Sequence, residues 1–123
     1  MCKTIMIVED EQNFHTIYEA ILKDRDYRII HVYDGDEALL KLEEEKPDLI
    51  ILDTVLNTVT GDTFFLHLKS ISEYSDIPVV IISARSEKYN KILRIIDPKL
   101  VYIEKPYLTK EILLNEVEKK LCY

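Results

Sequence analysis

Five short, mostly apolar runs divide the chain, and each of them ends at polar residues. They lie at residues 4–8, 27–32, 49–52, 79–82 and 100–103. A nearly continuous apolar run that stops at a polar break is typical of a strand in a parallel sheet, because helices cover such a sheet on both faces. The pattern therefore predicts five buried strands.

Helical segments separate these strands. Residues 11–24 place apolar side chains at the spacing of one helix face, and four later segments show the same period. The predicted starts of these later helices are Asp34 with Glu37 three residues on, Gly61, Ser86 and Thr109. Strands that alternate with helices imply right-handed βαβ units. The predicted fold is an α/β doubly wound five-stranded parallel sheet, in one domain over residues 1–123.

Charge and composition narrow the classes of partner. The 123 residues carry a net charge of -7, which argues against binding to nucleic acid or to an anionic membrane surface. Every apolar run is far shorter than the ~18 residues of a membrane span. We expect a cytoplasmic protein with no direct nucleic-acid or membrane partner. Cys2 and Cys122 belong to no Cys-x-x-Cys pair and are expected to be free thiols.

Polar side chains that can bind ligands or take part in catalysis follow four of the five strands. Glu9 and Asp10 follow the first strand, Asp53 the third, Ser83 the fourth and Lys105 the fifth. The carboxyl ends of parallel strands meet at one edge, and a doubly wound sheet has a switch point between strands one and three where ligands bind. We therefore expect these five side chains to lie together.

The chemistry of such a group is specific, although each residue alone has an ordinary explanation as a helix cap, a turn former or a surface charge. Three adjacent carboxylates repel one another, so they take up a proton or a cation. Hard oxygen ligands favour Mg²⁺. An ammonium, a hydroxyl and a divalent cation match the charge of a phosphoryl group, and an aspartate can form an acyl phosphate.

These residues stand in motifs that resemble the receiver domain of two-component response regulators, over essentially the whole chain. The matching segments are residues 7–11 (IVEDE), 50–53 (IILD) with Leu56 and Gly61, 81–84 (IISA) and 102–106 (YIEKP). The resemblance implies a flavodoxin-like three-layer sandwich with strand order 2-1-3-4-5. It also implies a signalling domain rather than an enzyme, one that assists its own phosphorylation and dephosphorylation.

The resemblance assigns roles to the residues at the strand ends. It implies that Asp53 is the phosphoacceptor, which takes a phosphoryl group from a histidine kinase or a histidine phosphotransfer protein. Glu9, Asp10 and Asp53, with the backbone carbonyl of Val55, would hold Mg²⁺. Lys105 would pair with a phosphoryl oxygen.

The resemblance further implies a switch. Ser83 and Tyr102 would rearrange on phosphorylation, and the face formed by helix 4, strand 5 and helix 5 would report the change to a downstream target or a fused output domain. Val55 and Arg85 occupy positions that tune the phosphoryl lifetime, and their bulk predicts slow self-dephosphorylation. Asn57 departs from the family, which usually has proline there, and should loosen the loop after Asp53.

Three alternatives to a phosphorylated receiver domain remain at this stage. They are a receiver-like interaction module that never uses phosphate, a phosphatase with a nucleophilic aspartate, and a flavodoxin. The phosphatase needs a second aspartate where this chain has Val55, and the flavodoxin needs a phosphate-binding loop where it has acidic residues. The three histidines are expected to be ordinary surface or core-edge residues, unrelated to the acidic group: His15, His31 and His67.

Overall fold

The structure, a computed structural model, describes residues 2–121 and contains a single five-stranded parallel sheet. The strands run in the order β2-β1-β3-β4-β5, and all four neighbouring pairs are parallel. Their bounds are β1 Lys3–Val8, β2 Tyr27–Val32, β3 Leu49–Leu52, β4 Val79–Ser83 and β5 Val101–Glu104. This confirms the predicted sheet and its strand order.

Helices connect the strands and lie on both faces of the sheet. They are α1 Gln12–Leu22, α2 Gly35–Glu44, α3 Gly61–Ser70, α4 Lys91–Ile96 and α5 Lys110–Leu121, with 3-10 turns at Glu87–Asn90 and Lys105–Tyr107. The first helix is shorter than the predicted 11–24, because the chain leaves the helix to reach β2. In residues 2–121 no helix combines the length and apolar character needed to cross a membrane.

Two apolar cores, one on each face of the sheet, hold the three layers together. Alternate side chains of a strand point to opposite faces, so Met6 and Val8 enter one core while Ile5 and Ile7 enter the other. The first core is closed by α2, α3 and α4 and the second by α1 and α5. Helices on both faces explain why the strand segments are apolar throughout.

Side-chain caps fix where two of the predicted helices begin. The Asp34 carboxylate accepts a hydrogen bond from the Glu37 N–H at 2.8 Å, and the Thr109 hydroxyl accepts one from the Ile112 N–H at 3.1 Å. The predicted cap at Ser86 is wrong, because its side chain makes no capping hydrogen bond. The chain forms a 3-10 turn after Ser86, which delays α4 until Lys91.

Gly61 sets the distance between α3 and the end of β3. A Cβ atom on Gly61 would lie 2.0 Å from the Asp53 carbonyl oxygen and 2.4 Å from the Thr54 Cα. The Gly61 N–H also donates to the Thr54 carbonyl at 3.1 Å. Glycine is required here because any side chain would collide with the backbone. The start of α3 therefore packs directly against the segment that carries Asp53.

Candidate functional site

Four of the five side chains predicted to meet at the carboxyl edge of the sheet lie together: Glu9, Asp10, Asp53 and Lys105. Lys105 Nζ lies 3.1 Å from Asp53 Oδ2 and 3.0 Å from Glu9 Oε1. Glu9, Asp53 and Ser83 are all buried. The Asp53 N–H donates to the Val8 carbonyl at 3.0 Å, which joins the ends of β3 and β1. The strand order thus brings residues that are far apart in sequence together in one compact polar site.

Glu9, Asp10 and Asp53 form a cluster of carboxylates. One oxygen from each lies within 4.8 Å of the others. Burial is the main reason why the pKa of Glu9 is raised to about 8, and the Asp53 charge adds to it, while Lys105 and the Glu11 N–H act in the opposite direction. A carboxyl group in this position binds a proton at neutral pH when no metal is present.

The donor set of this cluster fits a hard divalent cation. Glu9 Oε1 is buried, and its 3.0 Å contact with Lys105 Nζ lacks the angles of a hydrogen bond, so a lone pair on this oxygen stays free. Two further carboxylates lie nearby, those of buried Asp53 and half-buried Asp10. This set suits Mg²⁺, which takes oxygen ligands and keeps several waters. The residues therefore fit the predicted cofactor, although the ion itself stays a prediction.

Both carboxylate oxygens of Asp53 have a donor. Oδ2 accepts from Lys105 Nζ at 3.1 Å, and Oδ1 accepts from the Val55 N–H at 3.1 Å. Burial alone would lower the pKa of Lys105, but its interactions with Glu9 and Asp53 outweigh burial and raise it. Lys105 thus stays charged, and the Asp53 carboxylate is held in one orientation.

Ser83 bonds to a residue whose role the sequence analysis missed. Its hydroxyl oxygen lies 2.7 Å from that of Thr54, and both side chains are buried. The Arg85 N–H donates to the same Ser83 oxygen at 3.1 Å. A hydroxyl residue directly after a strand-end aspartate was the available signal for Thr54. The sequence does not show how β3 and β4 are aligned, so the hydrogen bond between Thr54 and Ser83 could not be predicted from it.

Tyr102 ties β5 to the segment that follows β4. Its hydroxyl donates to the Arg85 carbonyl at 2.8 Å and accepts from the Asn90 side-chain amide at 3.0 Å. Its ring packs against the core under α3 and α4. The sequence analysis also missed Asn90, which is buried although it is polar.

The two residues predicted to tune the phosphoryl lifetime are exposed and contact the site through their backbone N–H groups. The Val55 side chain is exposed although its N–H donates to Asp53. The Arg85 side chain is also exposed, while its backbone contacts both Ser83 and Tyr102. Both side chains are therefore available to a molecule that approaches Asp53 from solvent.

The expectation for His15 is wrong. His15 is fully buried, and its Nε2–H donates to the Glu9 carbonyl at 2.6 Å. Its Nδ1 lies 2.7 Å from His31 Nδ1, and burial lowers the pKa of His15. His15, Tyr18 and Leu22 are the buried residues of α1, and this spacing was the missed signal. His31 is half-buried and His67 exposed, as expected.

Comparison with known proteins agrees with this geometry. A family model described as the response regulator receiver domain matches residues 5–118. The phosphate regulon transcriptional regulatory protein PhoB of Escherichia coli (strain K12) is 35% identical over 112 residues, covering 91% of this chain and 49% of that protein. The chain spans about half the length of the curated relatives it matches.

Solved structures share the fold. The phosphorylated cyanobacterial phytochrome response regulator RcpA matches with a TM-score of 0.90 at 24% identity, covering 99% of this chain and 96% of that chain. The signal receiver domain of a signal transduction histidine kinase from Syntrophus aciditrophicus gives 0.86 at 27% identity, covering 98% and 90%. The chain belongs to the response regulator receiver domain family.

Proposed function

We propose that Asp53 is the phosphoacceptor of this receiver domain, over residues 1–123. The observation that supports this most directly is the Asp53 carboxylate, oriented by Lys105 and the Val55 N–H beside two further carboxylates. A carboxylate oxygen of Asp53 attacks the phosphorus of a phosphohistidine on a histidine kinase or phosphotransfer protein. The P–N bond breaks, its electron pair stays on the imidazole nitrogen, and an acyl phosphate forms.

Glu9, Asp10 and Asp53, with the Val55 carbonyl, would hold Mg²⁺. A bound Mg²⁺ neutralises charge on the phosphoryl oxygens. Lys105 contributes a second positive charge beside Asp53, and its side chain is only 11% exposed. Electrostatic stabilisation in such a dry site is stronger than in water. This is the sense in which the domain assists its own phosphorylation and dephosphorylation.

The switch we propose begins at Ser83. A phosphoryl group on Asp53 offers the Ser83 hydroxyl a charged acceptor, which replaces its bond to Thr54. Arg85 bonds to Ser83 through its N–H and to Tyr102 through its carbonyl. A shift of Ser83 therefore reaches the Tyr102 hydroxyl through one residue, and the α4-β5-α5 face changes with it.

The downstream partner is a separate protein target or an output domain fused to the receiver. The acidic net charge of -7 supports the prediction that these residues do not contact nucleic acid directly. Family membership supports a cytoplasmic place of action. Exposed Val55 and Arg85 support slow self-dephosphorylation, because they crowd the path of an attacking water. A half-life of seconds at room temperature would contradict that.

A small phosphodonor tests the proposal. Acetyl phosphate and Mg²⁺ should add the mass of one phosphoryl group to the intact wild-type chain and none to Asp53→Asn. Asn keeps the shape of Asp53 but cannot form the acyl phosphate, so it is the matched control. An adduct of equal yield on both proteins would remove Asp53 from this role.

The alternative of an interaction module that never uses phosphate has its own discriminating measurement. Beryllofluoride with Mg²⁺ should shift the backbone amide signals around Ser83 and Lys105 if the site accepts phosphoryl-like groups. Under the alternative these signals stay in place. Asp53→Asn again supplies the baseline, because it removes the carboxylate to which beryllofluoride attaches.

A further inference from the structure

The ring of Phe14 lies over the ammonium group of Lys105. Nζ is 3.9 Å from the ring centroid, well inside the ~6 Å within which a cation is attracted to an aromatic face. We propose that Phe14 is a positioning residue for Lys105, whose aromatic face holds the ammonium against Glu9 and Asp53. The inference rests on the proposed role of Asp53, since that role makes the position of Lys105 matter.

The ammonium group of Lys105 has three neighbours in the structure. It donates a hydrogen bond to Asp53 Oδ2 at 3.1 Å, lies 3.0 Å from Glu9 Oε1 and lies over the ring of Phe14. The side chain of Lys105 is only 11% exposed, so little water reaches the ammonium. An ammonium that carries a full charge in a nearly dry site needs such neighbours.

The packing of α1 fixes the orientation of the ring. Phe14 lies one helical turn before Tyr18, and the two rings are 5.9 Å apart with an interplanar angle of 38°. Tyr18 is fully buried in the core under α1 and α5. Phe14 thus packs on a ring that is buried in the core, and the face of Phe14 lies against the Lys105 ammonium.

Aromatic character, rather than bulk, distinguishes this role from ordinary packing. A leucine at position 14 would fill much of the same space but would present no negative face. Without the ring, Lys105 is held only by its contacts with Asp53 and Glu9, and its ammonium samples a wider range of positions. The transferred phosphoryl group then meets a less well-placed positive charge, and its transfer slows.

The first test measures the contact without phosphate or metal. In the NMR spectrum of the wild-type protein, the ring of Phe14 should shift the Lys105 Cε and Nζ protons upfield. Phe14→Tyr should keep this shift and Phe14→Leu should abolish it. Lys105 signals that are the same in Phe14→Leu as in wild type would overturn the proposal.

The second test measures the consequence. Phe14→Leu should lower the initial rate of phosphorylation by acetyl phosphate with Mg²⁺ roughly three- to tenfold, which corresponds to a cation–π contact in a partly desolvated site. Phe14→Tyr, which keeps an aromatic ring, should be phosphorylated at the wild-type rate. Urea denaturation identifies any variant that is poorly folded.

Fluorinated phenylalanines separate the electrostatic effect from packing. Each added fluorine weakens the negative face while the ring keeps its shape, so the rate should fall stepwise at position 14. The same residues at Phe64, which is buried in the other core, should leave the rate unchanged. A flat series at position 14 would overturn the proposal. If the wild-type protein takes up no phosphoryl group, the proposed function fails, and the Lys105 shift still decides the contact.

Discussion

The hydroxyl oxygens of Ser83 and Thr54 lie 2.7 Å apart in the buried space between β3 and β4. This hydrogen bond engages the Ser83 hydroxyl group in the unmodified domain. We propose that phosphorylation of Asp53 draws the Ser83 hydroxyl group from Thr54 to a phosphoryl oxygen. Thr54 therefore sets part of the free-energy difference between the two states of the proposed switch.

Replacing Thr54 by valine should favour the modified state. Thr54→Val has the same shape but removes the Thr54–Ser83 hydrogen bond of the unmodified domain, and a buried hydrogen bond contributes about 0.5–1.5 kcal/mol. The affinity for beryllofluoride with Mg²⁺ should rise about two- to tenfold. Thr54→Ser, which keeps the hydroxyl, is the control. An affinity for Thr54→Val at or below that of wild type contradicts the exchange.

The buried Glu9 should make the metal-free protein less stable as the pH rises. Its pKa is about 8 in the folded protein, against an ordinary value of 4.5. The folded state therefore binds more protons than the unfolded state between these two values, so the contribution of Glu9 to stability is full below about 4.5 and is lost as the pH rises through 8.

Urea denaturation in a chelator, at pH 5.5 and pH 8.5, measures this effect. Wild type should lose on the order of 2 kcal/mol more than Glu9→Gln, which cannot ionise. Added Mg²⁺ should return most of the lost stability to wild type at pH 8.5, since it binds the folded state. Equal pH dependence of the two proteins would show that Glu9 is ionised throughout.

A side chain at Gly61 should disturb both the fold and the site. In Gly61→Ala the new methyl group meets the Asp53 carbonyl oxygen at 2.0 Å, so α3 or the loop after β3 must move. We expect a loss of about 3 kcal/mol in the free energy of unfolding, together with slower phosphorylation of Asp53. His67→Ala, at an exposed position of the same helix, should cost less than about 0.5 kcal/mol. Similar losses for both variants would contradict the close approach.

His15 should stabilise the turn that carries the acidic pair. His15→Leu removes the donor to the buried Glu9 carbonyl, and an unpaired buried acceptor costs about 1–3 kcal/mol. Thermal or urea unfolding at pH 8 measures this loss. Because the pKa of His15 is lowered below 6.5, its contribution is full above that pH and declines as the medium is acidified. His67→Leu, at an exposed histidine, should show neither effect.

Much of the fold follows from local patterns that the sequence contains. Five apolar segments and the helical periods between them predicted the strands and helices because each segment, wherever it lies, must bury its apolar side chains. The prediction of a helix start failed where the local sequence favours one structure and contacts with the rest of the fold favour another. Ser86 has the chemistry of a cap, but the chain after β4 forms a 3-10 turn first, and its register is set by contacts with β5.

The site also has one part that the sequence predicted and one part that only the packing of the chain decided. Glu9, Asp10, Asp53 and Lys105 were predictable because a parallel sheet brings the carboxyl ends of its strands to one edge, so position along the chain fixes position in space. The partnerships of Ser83 with Thr54, of Phe14 with Lys105 and of His15 with Glu9 were decided by the register between strands and by the rotation of α1 about its axis. No local pattern encodes these two quantities, because they depend on how the complete side chains pack together in the two cores.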